Sequence, residues 1–456
     1  MGAFLLALGC ARAWLTLLFA DPALPVADGL DIHGVFDILF CIASCAAACG
    51  CKHAAIFCAS PRGKAAAGCC MAAASALSLT AGVFPSHAEA LSLASAAVGG
   101  IGFAAFLLVW AETLSALSIA RIALYSALSQ LFAVVLVFFC QGLDVLRTSI
   151  ALVVLPACAA CALSIAYRSS REAPSEPRET PPVRTARSIP WKLIVLTAVF
   201  CFAYGLRDAR LAGGAGMHSS ISTAMAMAAL AAGIFFFSDR ISLNAVIKSA
   251  LPLMLCGFLL VPCEGFIGSV LSSYMISIGY SLMSLLVSLM LYDISKRFGI
   301  AVVCLLGLKN AMQAFVVAGG WLASHLDVLA LARSTQDAIV AAIVAALLFF
   351  VAFILYSEKE LTSTWGVKFM EAEALTEEGL RRKRIAERCD ELCRTCRLSP
   401  REDEILRLYA QGMNGPRIEK ELFIASGTLK THTRHIYEKL GISSRKELYD
   451  VLGVKR

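Results

Sequence analysis

Apolar residues run along most of this chain in blocks of about twenty, separated by short polar stretches. A helix crossing a bilayer needs roughly 20 mostly apolar residues, because each adds about 1.5 Å across a hydrocarbon layer about 30 Å thick. Such blocks recur near 3–20, 33–50, 65–84, 90–110, 119–140, 148–167, 191–207, 217–238, 246–263, 266–292, 299–322 and 336–356, which predicts twelve spans. "YRSSREAPSEPRETPPVRTARSIPW" (Tyr167–Trp191) interrupts the series after the sixth block. Rich in proline and arginine, it predicts a flexible connector between two groups of six. After Tyr356 the pattern turns polar: "TEEGLRRKRIAERCDELCRTCR" (Thr376–Arg397) carries Leu380, Ile385, Cys389, Leu392 and Cys396 at roughly helical intervals. The expected organisation is all-α: a first six-helix membrane bundle over 1–167 and a cytoplasmic linker over 168–190 come first. A second six-helix bundle over 191–357, a connecting helix over 358–397 and a small domain over 398–456 follow.

Composition supports this division. The chain is 59% hydrophobic and 16% charged, with a mean hydropathy of +0.74. Soluble domains average about 45–50% apolar and about 25% charged, so most of the chain is excluded from an ordinary water-soluble fold. Of 40 Lys and Arg residues, 20 lie in 358–456, with 17 Asp and Glu beside them. The 18 cysteines mostly sit inside apolar runs (Cys41, Cys45, Cys49, Cys69, Cys70, Cys140) and are expected to pack as small hydrophobes. The opening "MGAFLLALGCARAW" has no basic n-region, and Ala7 stands where a lipobox would place leucine, so a retained first span is expected.

Charge also predicts orientation, because Lys and Arg accumulate in cytoplasmic loops. With the N-terminus inside, the inner connections hold Lys52, Arg62, Lys64, Arg168, Arg171, Arg178, Arg184, Arg187, Lys192, Arg240, Lys248, Lys296 and Arg297. The outer ones hold Arg147, Arg207, Arg210 and Arg333, and the first is acidic with Asp21, Asp28 and Asp31. An even number of spans then returns the C-terminus to the cytoplasm of a cell whose inner membrane carries the bundle.

Ionisable groups at membrane depth are costly and are functional candidates by default. Lys309 and Asn310 in "GLKNAMQ" are expected inside the eleventh span, where the lysine would suit an anionic ligand in a central cavity. Asp37, Glu112, Arg121, Arg207 and Asp208 are further candidates. The bland alternative for these five is an intrahelical ion pair or a side chain reaching the interface from a segment end.

In the small domain, "LSPREDEILRLYAQGMN" has Ser399 as N-cap, Pro400 at the first helical position and Glu402 completing a capping box. Ile405, Leu408 and Tyr409 share one face, and Gly412 ends the helix. A second short helix is expected after Gly415, burying Ile418 and Leu422. A third, within "IASGTLKTHTRHIYEKL" (Ile424–Leu440), puts Leu429, Ile436 and Leu440 on one side and Lys430, Thr431 and Arg434 on another. A basic, hydroxyl-bearing face at i, i+1, i+4 fits the major groove, where Arg or Lys donates to guanine O6 and N7. Thr428, Thr433 and Lys439 are candidates for phosphate contacts, which set register. Gly441 stops the helix, and Ser444 with Glu447 caps the next. The three thiols Cys389, Cys393 and Cys396 lack a fourth ligand nearby, so no metal is expected.

Leu398–Leu452 resembles the LuxR/FixJ-type DNA-binding domain. The resemblance rests on "LSPRE" (Leu398–Glu402), "LFI" (Leu422–Ile424), "GTLKTH" (Gly427–His432) and "IYEKLGISSRKEL" (Ile436–Leu448). It implies a four-helix domain that binds double-stranded promoter DNA as a homodimer. Lys430, Thr431 and Arg434 would make base contacts, and Leu448 and Val451 dimer contacts. The sequence departs from the family at Gly415–Glu419, in place of the usual "NKEIA", and at Ala425, in place of the usual capping serine. The six-plus-six body resembles the major facilitator superfamily in architecture, and "LYDISKRFG" (Leu291–Gly299) is similar to its loop motif, although in a different loop.

The expected function is a one-component transcription regulator in the membrane: the bundle senses an unidentified small-molecule or membrane signal and the tail binds DNA. A secondary transporter with a signalling tail and a structural DNA tether are the alternatives. No nucleophile, acid–base pair or phosphate loop stands out, so neither an enzyme nor a cofactor is expected.

Overall fold

The computed structural model describes residues 2–20, 32–140, 143–172, 190–208, 215–236, 243–263, 270–327, 333–356, 388–396, 398–410, 413–422, 424–444, 447, 448 and 451. It divides into two compact units, Met1–Met370 and Glu371–Arg456.

The first unit is helical wherever it is described, apart from short turns. Its helices are α1 (Gly2–Ala20), α2 (Ile32–Cys49), α3 (Cys51–Ala59), α4 (Pro61–Val83), α5 (Ala88–Leu114), α6 (Ile119–Cys140) and α7 (Val145–Glu172). They continue with α8 (Trp191–Asp208), α9 (Ala215–Phe236), α10 (Leu243–Leu260), α11 (Ser272–Phe298), α12 (Val302–Ala311), α13 (Ala314–Asp327) and α14 (Arg333–Tyr356). Each of the twelve apolar blocks coincides with one of these, the eleventh with the pair α12–α13. Eight are long and apolar enough to cross a membrane among the described residues: α1, α2, α4, α5, α6, α7, α11 and α12–α13. In α9, α10 and α14 the apolar stretches are shorter, and α8 carries Lys192, Arg207 and Asp208 near its ends.

Two features were not expected. The helix α3 fills the connection after α2, and Ser60 ends it and caps α4 by accepting from Gly63 N at 3.0 Å. The eleventh span is broken at Met312–Gln313, where the backbone closes tighter i→i+3 bonds (Met312 N to Lys309 O, 3.2 Å; Gln313 N to Asn310 O, 3.0 Å). In addition, α7 runs beyond the expected boundary at 167, to Glu172. Large apolar side chains face outward, including Ile56, Phe138 and Phe139 at 70–72% exposure, which suits lipid and not water. The cysteine expectation is corrected in part: Cys41 is buried, but Cys45, Cys49 and Cys69 are exposed on the helices' outer faces.

Packing repeats across the two halves. In the first, α1 packs on α6 and α7, α4 on α5 and α7, and α2 on α5. Six spans later, α8 packs on α13 and α14, α10 on α11 and α14, and α9 on α11. The halves meet where α2 touches α12 and α6 touches α9. Lipid supplies no hydrophobic drive between helices, so close contact comes from small residues and buried hydrogen bonds. A Cβ on Gly205 of α8 would lie 2.1 Å from Val316 O, and one on Gly319 of α13 would lie 2.4 Å from Phe202 O. In the first half, Trp14 Nε1 donates to Ser75 Oγ at 2.7 Å and Ser75 donates to Leu152 O at 2.7 Å, tying α1, α4 and α7 together.

The second unit has its own core. It contains the helical stretch α15 (388–395), then α16 (Pro400–Ala410), α17 (Gly415–Glu421) and α18 (Ser426–Leu440). Cys389, Leu392, Ile405, Leu406, Tyr409, Ile418, Leu429, Ile436 and Leu448 bury one another. Of the expected connecting helix, 358–387 lies outside the described residues, with Leu380 and Ile385 in it.

Candidate functional site

The caps of the second unit follow the sequence closely. Ser399 N donates to Glu402 Oε2 at 2.7 Å and Glu402 N to Ser399 Oγ at 3.4 Å, the reciprocal bonds of a capping box. Asn414 caps α17 by accepting from Arg417 N at 3.2 Å. Gly441 ends α18 in the left-handed region, at φ 66°, which a side chain would oppose. The other end of α18 begins at Ala425, which offers no side-chain cap.

Leu429 and Ile436 turn one face of α18 into the core. Thr428, Lys430, Thr431 and Arg434 are exposed. Arg434 reaches Glu438 at 3.6 Å, but both side chains are about two-thirds exposed, so this i,i+4 pair is weak and yields readily to a stronger partner. The result is a cationic face, unobstructed within the domain, on a helix whose opposite face is fixed.

Three expected contacts need correction. Thr433 is half-buried: it donates to Leu429 O at 2.8 Å and shares a hydrogen bond with Tyr409 Oη at 3.1 Å. Lys439 donates to Glu402 Oε2 at 2.6 Å, and its ammonium neutralises that buried carboxylate. Both side chains have partners inside the domain, Thr433 half-buried and Lys439 still exposed at the surface. Leu448 is fully buried in the domain's own core, which removes it from a surface that could meet a second copy. Val451 is partly buried against the same core, and its carbonyl accepts from Arg388 Nε at 3.3 Å.

Burial pushes the Glu402 carboxyl up, but hydrogen bonds from Lys439 and Ser399 outweigh it and hold the group below the ordinary glutamate value. The thiols of α15 move the other way. Burial pushes Cys389 up to about 11, and burial together with a 2.9 Å hydrogen bond to Asp403 pushes Cys393 up to about 12. Both therefore stay protonated, which opposes metal ligation and thiolate chemistry. Arg407 bridges Asp390 and Asp403, locking α15 onto α16.

In the first unit a cavity of about 380 Å³ opens between the halves. Lys309, Asn310 and Asp37 line it, as does Arg12 of α1, which sequence reasoning missed although it stands near the middle of an apolar span. Lys309 Nζ donates to Ser284 Oγ at 3.0 Å, and Tyr280 Oη donates to Gln313 Oε1 at 3.1 Å. Tyr204 stacks on Tyr280 at 4.4 Å between centroids. The other four candidates lie off this cavity. Glu112 is two residues from the end of α5, Arg121 is exposed in the first turn of α6, and Arg207 is buried and donates to Ser272 and Ser273 at 3.0 and 3.1 Å. Asp208 ends α8, and its side chain lies outside the described residues. Glu112, Arg121, Arg207 and Asp208 all stand within one turn of a helix end, and none of them lines the cavity. Among the described residues no three His, Cys, Asp or Glu side chains gather as metal ligands.

Residues 397–452 match the family of bacterial regulatory proteins of the luxR type. The HTH-type transcriptional regulator Mb0914c of Mycobacterium bovis is 42% identical over 53 residues, and the HTH-type transcriptional regulator MalT of Vibrio campbellii 46% over 57. Each alignment covers 12% of this chain and 6% of the relative, so the likeness is confined to this domain. Over the membrane body, the human organic anion transporter MFSD10 (TETRAN) superposes with TM-score 0.51 at 14% identity, covering 78% of this chain and 98% of that one. An outward-facing bacterial homologue of the iron transporter ferroportin gives 0.52 at 10%, covering 80% and 98%. At such identities these two show the fold alone. The C-terminal residues 397–452 are a LuxR-type helix-turn-helix domain, and they follow a multi-helix membrane domain of major-facilitator-like fold.

Proposed function

We propose that this chain is a one-component transcription regulator held in the inner membrane, with its termini in the cytoplasm. The bundle senses a signal, and the tail binds promoter DNA as a dimer. The observation that carries this reading is the exposed Lys430–Thr431–Arg434 face of α18, opposite the buried Leu429 and Ile436, in a domain fused to a bundle whose cavity is lined by Arg12 and Lys309. The positive-inside bias supports the orientation, and the likeness to transcriptional regulators supports the output. Arg434 and Lys430 donate to base edges, while Thr428 and the start of α18 meet phosphate. The signal acts by preferring one arrangement of the two halves over another, because a ligand shifts an equilibrium only through differential affinity.

The test is a reporter driven by a promoter the protein binds, with footprinting of the same promoter. Lys430→Ala and Arg434→Ala are each expected to weaken specific binding about 5- to 150-fold, corresponding to about 1–3 kcal/mol, while membrane insertion persists. Reporter output that survives both changes, or a C-terminal tag reachable only from outside the cell, overturns the reading. A transporter that also signals is the second reading, favoured by the cavity and by Lys309 on its wall. It predicts saturable uptake lost in Lys309→Ala. A passive tether instead predicts binding with little base preference and a steep salt dependence.

A further inference from the structure

The cavity wall carries a charge pattern that identifies the class of molecule it takes. Arg12 comes from α1 in the first half and Lys309 from the last turn of α12 in the second, and both line the cavity. Each lies far from the ends of its span, where a cation is costly unless it faces water or opposite charge. Among the described residues neither forms an ion pair: Lys309 Nζ has a neutral partner, Ser284 Oγ, and Arg12 and Lys309 repel one another. The one carboxylate on the wall among the described residues, Asp37, has an interaction of its own and offsets at most one of the two cations. Phe36, Phe103 and Trp110, from α2 and α5, line the same cavity, with the Phe36 and Phe103 rings 6.3 Å apart and inclined at 42°, so that they offer aromatic faces and edges to a ring. About 380 Å³ falls within the range of small-molecule sites, about 300–1,000 Å³.

We propose that the cavity binds a small aryl carboxylate, its carboxylate held between Arg12 and Lys309 and its ring against Phe36, Phe103 and Trp110. A guanidinium presents two parallel donors to a carboxylate, and an ammonium adds a compact charge. Because the two cations belong to opposite halves, an anion between them cancels their repulsion and draws the halves together. The anion therefore favours whichever arrangement of the halves lets both cations reach it. This proposal rests on the sensing reading and supplies its ligand class.

The full-length protein in lipid nanodiscs is titrated with benzoate, 3-phenylpropanoate and indole-3-acetate, each beside its primary amide. Tryptophan fluorescence and calorimetry give the affinities. At least one carboxylate is expected to bind saturably and at least tenfold more tightly than its amide. Arg12→Gln and Lys309→Gln should each weaken that binding at least tenfold, while Asp144→Asn, in an exposed ion pair with Arg147, leaves it unchanged. Absence of saturable binding for all three acids, amides that bind equally well, or unchanged affinity in both cavity variants overturns the proposal. If the variants do not fold, the acid–amide comparison on the unaltered protein still decides. Promoter footprinting on the same preparation separates the two readings: an intact footprint without anion binding sinks only the ligand class. Anion binding without a footprint sinks the regulator and leaves the ligand class standing.

Discussion

The ammonium of Lys439 and the carboxylate of Glu402 meet at 2.6 Å, 37 residues apart in sequence, and the same carboxylate oxygen also accepts from Ser399 N. Because the folded domain holds Glu402 below its ordinary value, the unfolded chain takes up the proton first as the pH falls. The contribution of this group is complete above about pH 4.5 and drains away as the pH drops through the depressed folded value. Glu402→Gln should flatten that acid limb and cost about 1.5–3 kcal/mol at neutral pH, read by urea unfolding of the domain. The pair also explains where reading residues from sequence fails. Lys430, Thr431 and Arg434 were legible because their face is set by local helical spacing. The partners that Thr433 and Lys439 take inside the domain, Tyr409 and Glu402, were not legible because they lie 24 and 37 positions away. Leu448 came into view as a dimer contact through the family resemblance, and an apolar residue looks the same in sequence whether its own core or a second copy covers it.

At the scale of elements, periodicity and end signals carried most of the fold. The twelve apolar blocks became helices, Ser399 and Glu402 formed their box, and Gly441 closed α18. The break in the eleventh span was not legible, since "KNAMQ" contains neither glycine nor proline and packing decides where it unwinds. Nor was α3, nine residues long and too short to show a period. The crossing of α8 and α13 relies on Gly205 and Gly319, each pressed against the partner's backbone. Gly205→Val drives a side chain into Val316 O, forces α13 away from α8 and should lower the thermal midpoint of the detergent-solubilised protein by several degrees, read by fluorescence-detected size exclusion. An unchanged midpoint would mean that the crossing relaxes at no cost.

For the whole molecule, division into two compact units predicts that residues 371–456 fold when expressed alone. A dispersed amide spectrum and a cooperative urea transition are expected, since Leu406, Ile418, Leu429 and Ile436 bury one another without help from the bundle. A collapsed spectrum would show that the domain needs its membrane neighbour. The division also sets what sequence could reveal of function. The short tail carries a dense motif, whereas the polar residues that line the bundle's cavity are scattered along the chain and form no motif. Arg12 escaped notice for that reason. One consequence of joining these units in a single polypeptide concerns search. On the proposed reading, the search would differ from that of a free repressor, which scans the nucleoid in three dimensions: the DNA-reading end would stay within a thin shell beneath the envelope. Operators would have to drift to that shell, so that occupancy would depend on where a gene lies in the cell as much as on the letters it presents.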